Sequence, residues 1–338
     1  MSQVQACLAQ LFAKQSLSIA QSFDFFTEVT KGNVDPIELS AALIALKLKG
    51  ETAHEIAGAA QAFRAVATAL PGQFADAIDC CGTGGDGSNT INISTTAAIV
   101  AAACGLQVAK HGNRSVSSKS GSADLLEQLG VNIQMTPEVA AATLEKAKVN
   151  FLFAPIYHSG IRHAMAVRQK LKTRTLFNVL GPLLNPTQPK FQLLGVYDSA
   201  LCPVLAESLL NLGVERAWVV HGEGCDEIAL HGETHVTEVF QGKLHHFTLT
   251  AADFGLPKIA LQDVAGGSPE QNAQASLAIL SGTAPMAHRY AIAANVAAML
   301  KICGHGDDLA ANSAKVLAVL AGNSALSVLE LLKESSRG

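Results

Sequence analysis

The chain has 338 residues, of which 49% are hydrophobic and 15% charged, with a formal net charge of −4. That is enough apolar material for a sizeable core, and with no basic tract it argues against nucleic-acid binding. Seven cysteines, an odd number without a C-x-x-C, argue against a zinc ribbon or a disulfide framework.

The N-terminal stretch MSQVQACLAQLFAKQ lacks the basic segment and cleavage-like site of a signal peptide. The longest apolar run, from Ala97 to Ala109, is too short to span a bilayer. A cytoplasmic protein without a membrane segment is therefore expected. Residues 1–70 have helical patterning. Asp35, Pro36 and Glu38 start a helix that carries Ile37, Leu39, Leu43, Ile44 and Leu46 and ends at Gly50. Thr52 and Glu55 form a capping box for the next helix, and Pro71-Gly72 breaks the chain. Beyond Gly72, short apolar runs (Ala77–Cys81, Leu106–Ala109, Asn150–Ala154, Gln192–Val196, Ala217–Val220) alternate with helical segments (Thr95–Cys104, Ser122–Leu129, Pro137–Lys148, Pro203–Leu212). This rhythm predicts crossover units and a mainly parallel sheet. Residues 159–187, a basic helix followed by Gly-Pro and Asn-Pro turns, break the alternation and are read as a return to the helical domain. Thr234–Phe240 and Lys243–Leu249 read as an antiparallel pair, and the C-terminal part is helical again. The expected class is α/β: a small helical domain over 1–70, joined by about 160–187, and a large α/β domain over 73–338.

Residues 82–87, GTGGDG, match the G-x-G-x-x-G fingerprint of dinucleotide sites. That reading needs a helix directly after the loop and an acid about 20 residues on. Here SNTINIST intervenes, and no Asp or Glu lies between Asp86 and Asp124. A Walker loop fails as well, since no Gly-Lys-Ser/Thr follows. Glycines that admit backbone N–H groups, followed by Asn92-Ile93-Ser94-Thr95 at a helix start, still suit a phosphate. A second polar segment, KHGNRSVSSKSGSAD over 110–124, lies at the carboxyl end of the next strand, where ligands of open α/β sheets bind. Two such loops on neighbouring strands point to a ligand with more than one phosphate. A third segment, HGEGCDE over 221–227, places Glu223, Asp226 and Glu227 at another strand end, a donor set suited to Mg²⁺. Each segment alone also reads as an ordinary surface turn; their joint occurrence carries the argument.

Together with FLFAP-x-YH and RTLFN-x-LGPLLNP, these segments resemble the motifs of the anthranilate phosphoribosyltransferase family, strongly over residues 75–240. The resemblance implies a homodimeric, Mg²⁺-dependent enzyme of tryptophan biosynthesis, with a fold similar to that of pyrimidine nucleoside phosphorylases. Its substrates would be anthranilate and phosphoribosyl pyrophosphate. The resemblance assigns Gly82, Gly85, Asp86, Thr90, Asn92, Ile93, Ser94 and Thr95 to the pyrophosphate end. It assigns Lys110, His111, Gly112, Asn113, Arg114, Ser115, Val116, Ser117, Ser118 and Ser122 to the phosphoribosyl part. Gly82, Asn113 and Arg168 would meet anthranilate, with His111 nearby, and Ser94, Asp226 and Glu227 would serve two Mg²⁺ ions. No protein nucleophile or strong base is implied: pyrophosphate is a good leaving group, and an aromatic amine is unprotonated at neutral pH. His158, His163 and Tyr157 could line the amine's approach. Two alternatives stand beside this reading, a pyrimidine nucleoside phosphorylase and a non-catalytic nucleic-acid-binding relative. Association with a glutamine amidotransferase or anthranilate synthase partner stays open.

Overall fold

Four capped helices begin the chain: α1 (Gln3–Phe12), α2 (Ile19–Lys31), α3 (Pro36–Lys49) and α4 (Ala53–Ala65). The computed structural model describes residues 2–115 and 119–338. Asp35 accepts from the Ile37 N–H, and reciprocal capping boxes form at Ser18/Gln21 and Thr52/Glu55. Phe26 and Phe63 pack edge-on against Phe177, with ring centroids 6.2 and 5.7 Å from it. Phe177 belongs to the later segment that holds α8 (Ala154–Tyr157), α9 (Arg162–Leu171) and α10 (Phe177–Leu180). In that segment α9 lies against α2 and α3, and α10 against α4.

The large unit is built on seven strands: β1 (Ile78–Gly82), β2 (Val108–Gly112), β3 (Val149–Phe153), β4 (Phe191–Gly195), β5 (Arg216–Gly222), β6 (Thr234–Phe240) and β7 (Lys243–Leu249). They lie in the order β3-β2-β1-β4-β5-β6-β7; the first five run parallel, and β6 and β7 are antiparallel. Strand residues alternate between two apolar layers. Ile78, Cys80, Leu193, Trp218 and Val220 belong to a core shared with α5 (Ile93–Ala103), α6 (Ser122–Gln128) and α7 (Pro137–Ala147). The same core takes in the C-terminal helices α12 (Pro269–Leu280), α13 (Met286–Ile302), α14 (Leu309–Leu320) and α15 (Ser324–Ser335). Cys81, Leu194, Ala217 and Val219 face the other way, toward α11 (Leu201–Asn211) and the N-terminal helices. Among the described residues no single helix is long and apolar enough to cross a membrane.

Two strands run further than the sequence suggests. β2 continues to Gly112, so Lys110, His111 and Gly112 are strand residues and not loop residues. Lys110 is tolerated at 2% exposure because its Nζ donates to the Cys80 carbonyl and lies 3.4 Å from Ser94 Oγ. β5 continues to Gly222. Conversely α5 starts at Ile93, ahead of the expected Thr95, which puts Ser94 and Thr95 in its first turn. Strand order reverses between β1 and β4, which makes their carboxyl ends the topological switch point. β1, β2, β4 and β5 all end in glycine, at Gly82, Gly112, Gly195 and Gly222.

Candidate active site

At the switch point the ends of β1 and β4 lie in close main-chain contact with the loop after β5. A Cβ on Gly82 would come within 2.3 Å of Asp226 Oδ2, and one on Gly195 within 1.6 Å of the Asp226 carbonyl oxygen. The loop after β1 turns through Gly84, Gly85 and Gly87 at φ +65°, +78° and +78°, a region that side chains disfavour. Its Gly84 N–H donates to Asp226 Oδ2 at 2.7 Å. Asp86 accepts from Ser88 N and Ser88 Oγ, and the Asp226 N–H reaches Asp86 Oδ2 at 3.3 Å. The Ser94 N–H, in the first turn of α5, donates to Glu227 Oε1 at 3.1 Å. The loops after β1 and β5, far apart in the chain, are thus tied to each other directly.

Electrostatics gathers at the same point. Removal from water, with Asp226 as a like-charged neighbour, pushes Glu227 up to about 8. Removal from water and the adjacent Asp86 also raise Asp226 well above the usual carboxylate range. Lys110 is the cation that partly offsets Glu227. Asp226 and Glu227, with Ser94 beside Glu227, supply hard oxygens short of positive charge. Such a set fits Mg²⁺, which takes a few carboxylates and completes its shell with phosphate oxygens and water. Among the described residues no three His, Cys, Asp or Glu side chains converge as a ready-made cage.

The remaining expected residues fall around this centre. Asn92 is held by Ser120 and by Asn272 Nδ2 at 2.7 Å, and Thr90 forms a bridge with Ala265. Asn113 accepts from the Arg114 N–H, and its carbonyl receives the Ala123 N–H beside Ser122 at the start of α6. Arg114 turns its guanidinium to Asp124 and Glu127, and the Ser115 N–H donates to Asp124. Val116, Ser117 and Ser118 lie outside the described residues. Glu223 lines a separate cavity of about 770 Å³, to which Asp226 and Glu227 do not contribute.

On the helical side, Arg168 is half-buried, with Cζ 5.2 Å from the Phe177 ring centroid and Nη1 3.9 Å from Met165 Sδ. Among the described residues no carboxylate pairs with it. His111 Nδ1 is 3.2 Å from the Gly181 carbonyl, and His111 Nε2 is 3.1 Å from His158 Nε2. Burial lowers the His158 imidazole to about 4 and pushes His111 well below its ordinary value, so both are neutral at physiological pH. His163 lies exposed on α9, and the Tyr157 ring is fully buried.

Sequence reasoning passed over three residues. Asp79 is fully buried in β1, accepts from the His111 N–H at 3.2 Å, and is raised to about 6 by burial. An acid inside an apolar strand just before a glycine loop was its signal. Arg174 donates to the Gly85 carbonyl, and Asn272 braces Asn92 from α12. Arg174 stands in the quoted RTLFN motif, whereas nothing local to Asn272 marks it.

Comparison with known proteins agrees with this geometry. A model of the glycosyl transferase family a/b domain matches residues 74–326, and one of the glycosyl transferase family helical bundle domain matches residues 5–67. Anthranilate phosphoribosyltransferase of Pseudoalteromonas translucida is 54% identical over 335 residues, which is 99% of this chain and 94% of the relative. The crystal structure of anthranilate phosphoribosyltransferase from Thermus thermophilus superposes with a TM-score of 0.93 at 38% identity, covering 98% of this chain and 99% of the other. That of the Saccharomyces cerevisiae enzyme, in complex with PRPP and Mg, superposes with a TM-score of 0.89 at 29% identity, covering 99% and 98%. With its two domain matches, this level of identity and a site built at the same fold's switch point, the chain belongs to the anthranilate phosphoribosyltransferase family.

Proposed function

We propose that the chain transfers the phosphoribosyl group of phosphoribosyl pyrophosphate to the amine of anthranilate, with release of pyrophosphate, in tryptophan biosynthesis. The observation that carries this reading is the direct tie of the glycine loop and the α5 N-terminus to Asp226 and Glu227. It brings a glycine loop and a helix terminus suited to an anion beside oxygens suited to a cation, which supports a shared ligand of diphosphate and metal. In the reaction the bond from the anomeric carbon to pyrophosphate oxygen breaks, a carbon–nitrogen bond forms, and the amine gives up one proton. The glycine loop and the first turn of α5 bind and orient the diphosphate. Lys110, fixed on Cys80 and Ser94, brings one positive charge to the donor site. Arg168, without an acidic partner among the described residues, presents a planar fork suited to the anthranilate carboxylate. Neutral His111 and His158 leave the amine's approach free of added positive charge. Mg²⁺ held by Ser94, Asp226 and Glu227 would neutralise the leaving pyrophosphate, whose own negative charge would balance a second ion.

The working division of the chain is a helical unit over 1–70, joined by about 160–187, and an α/β unit over 73–338. The same reading makes the protein a cytoplasmic homodimer. Support for a dimer lies on α3, whose Ile37 and Leu48 are 79% and 82% exposed and share one face, with Phe12 of α1 also open to water. The test of the activity is loss of anthranilate fluorescence on adding phosphoribosyl pyrophosphate and Mg²⁺. Folded protein that leaves the signal unchanged refutes the reading, and phosphorolysis of thymidine in its place would reassign the chain to the phosphorylases.

A further inference from the structure

Three left-handed glycines give the loop after β1 a large choice of backbone conformations, so something outside it must select one. On the β5 side that role falls to Asp226, through the Gly84 N–H. From the helical segment one side chain also reaches in. Arg174, from the segment between α9 and α10, donates from Nη2 to the Gly85 carbonyl. Its guanidinium lies over the ring of Tyr197, with Cζ 3.8 Å from the centroid. Tyr197 follows β4, and its own N–H donates to Thr83 Oγ1 at 3.1 Å, inside the same loop. Loop, arginine and tyrosine therefore close a ring of contacts. A planar cation that stacks on an aromatic face while donating from its edge is arginine chemistry; a lysine offers the charge without the plane.

The hydrogen bond has a directional consequence. In a trans peptide the carbonyl and the following N–H point opposite ways. Holding the Gly85 carbonyl toward Arg174 therefore turns the Asp86 N–H away from it. Among the described residues that N–H has no hydrogen-bond partner, which leaves it available to an anion. We propose that Arg174, seated on Tyr197, is a positioning residue of the donor site: it fixes the Gly85–Asp86 peptide so that the Asp86 N–H is presented to the diphosphate. The inference rests on the reading of this loop as the diphosphate site.

Steady-state kinetics on Arg174→Ala, Arg174→Lys, Tyr197→Ala and Tyr197→Phe, at saturating Mg²⁺, test it. Arg174→Ala should raise the KM for phosphoribosyl pyrophosphate about tenfold, the size of one charge-assisted hydrogen bond, and leave the anthranilate KM within about twofold. Tyr197→Ala should shift the same constant, Tyr197→Phe should restore it, and Arg174→Lys should fail to. Because both residues act through one contact, the Arg174→Ala/Tyr197→Ala double variant should be no worse than Arg174→Ala alone. An unchanged donor KM in Arg174→Ala overturns the proposal, and so does an equal rise in both KM values with a fall in thermal midpoint. If the wild type shows no turnover, the transfer reading fails on its own. Calorimetric titration of wild type and Arg174→Ala with phosphoribosyl pyrophosphate and Mg²⁺ then still decides the role of Arg174, by a tenfold loss of affinity or its absence.

Discussion

Arg168, on the helical segment, and Asp226, after β5, carry different proposed roles, and each makes a separable prediction. Arg168→Ala should raise the anthranilate KM by about one to two orders of magnitude, as expected for about 1.5–3 kcal/mol in a charged hydrogen bond, with the donor KM little changed. Equal effects on both constants would remove Arg168 from the acceptor site. Asp226→Asn with Glu227→Gln should lower turnover chiefly, measured across a Mg²⁺ series; full activity at low Mg²⁺ would refute the metal assignment. His158 gives a pH effect with a definite sign. Its imidazole is held near 4 in the fold against an ordinary 6.5, so below 6.5 the unfolded chain binds the extra proton. Stability present at neutral pH is lost as pH falls from 6.5 toward 4, by up to about 3 kcal/mol. His111, which faces it, acts with the same sign, Arg64 adds positive charge to the site, and Asp79, raised to about 6, opposes. Urea unfolding of His158→Gln against wild type should therefore show a flatter profile in that window. Ser94 and Asp226, which the fold brings to one place, stand in contiguous motifs whose residue type and order carry a signal. Asp79 and Asn272 could not be read this way, because their partners are strands or helices away and no spacing encodes them.

The helices were legible where the chain writes its own boundaries. Asp35-Pro36, the Thr52/Glu55 box and Gly50 are local chemistry, and all three appear at the expected positions. Strand ends were not, since Lys110 and His111 read as loop until the Cys80 carbonyl and Asp79 are brought beside them. Glu55 shows how one cap can serve more than its own helix. Fully buried, it accepts from the Thr52 N–H, the Leu17 N–H and Lys49, joining the entry of α2 to that of α4. Glu55→Ala would leave the buried Leu17 N–H unpaired, and it should cost about 2–4 kcal/mol in chemical denaturation. A loss under about 0.5 kcal/mol, the size of an ordinary surface change, would show that the loop simply rearranges.

For the molecule as a whole, the parallel sheet and its alternation with helices followed from the sequence rhythm, but the strand order did not. Which side of β1 receives β4 is decided by tertiary packing, and that choice creates the cleft. The face of α3 opposite its packed residues Leu39, Leu43 and Leu46 belongs to this scale too. Ile37→Glu with Leu48→Glu should convert a dimer to monomers in analytical ultracentrifugation while monomer secondary structure persists. Unchanged sedimentation of a dimeric wild type would place the subunit contact elsewhere, and a monomeric wild type would remove the dimer reading.

Gly82 and Gly195 have an evolutionary corollary. Neither position can be remodelled by point substitution, since any side chain there runs into Asp226. With Arg168 as the proposed acceptor ligand, variation in the accepted amine falls to the helical segment that carries Arg168 and Phe177. Libraries randomised over residues 165–178 should therefore yield variants that take altered aromatic amines, whereas libraries at Gly82 and Gly195 should yield only loss. Selection on such libraries would show whether new acceptors arise from one side of the cleft alone.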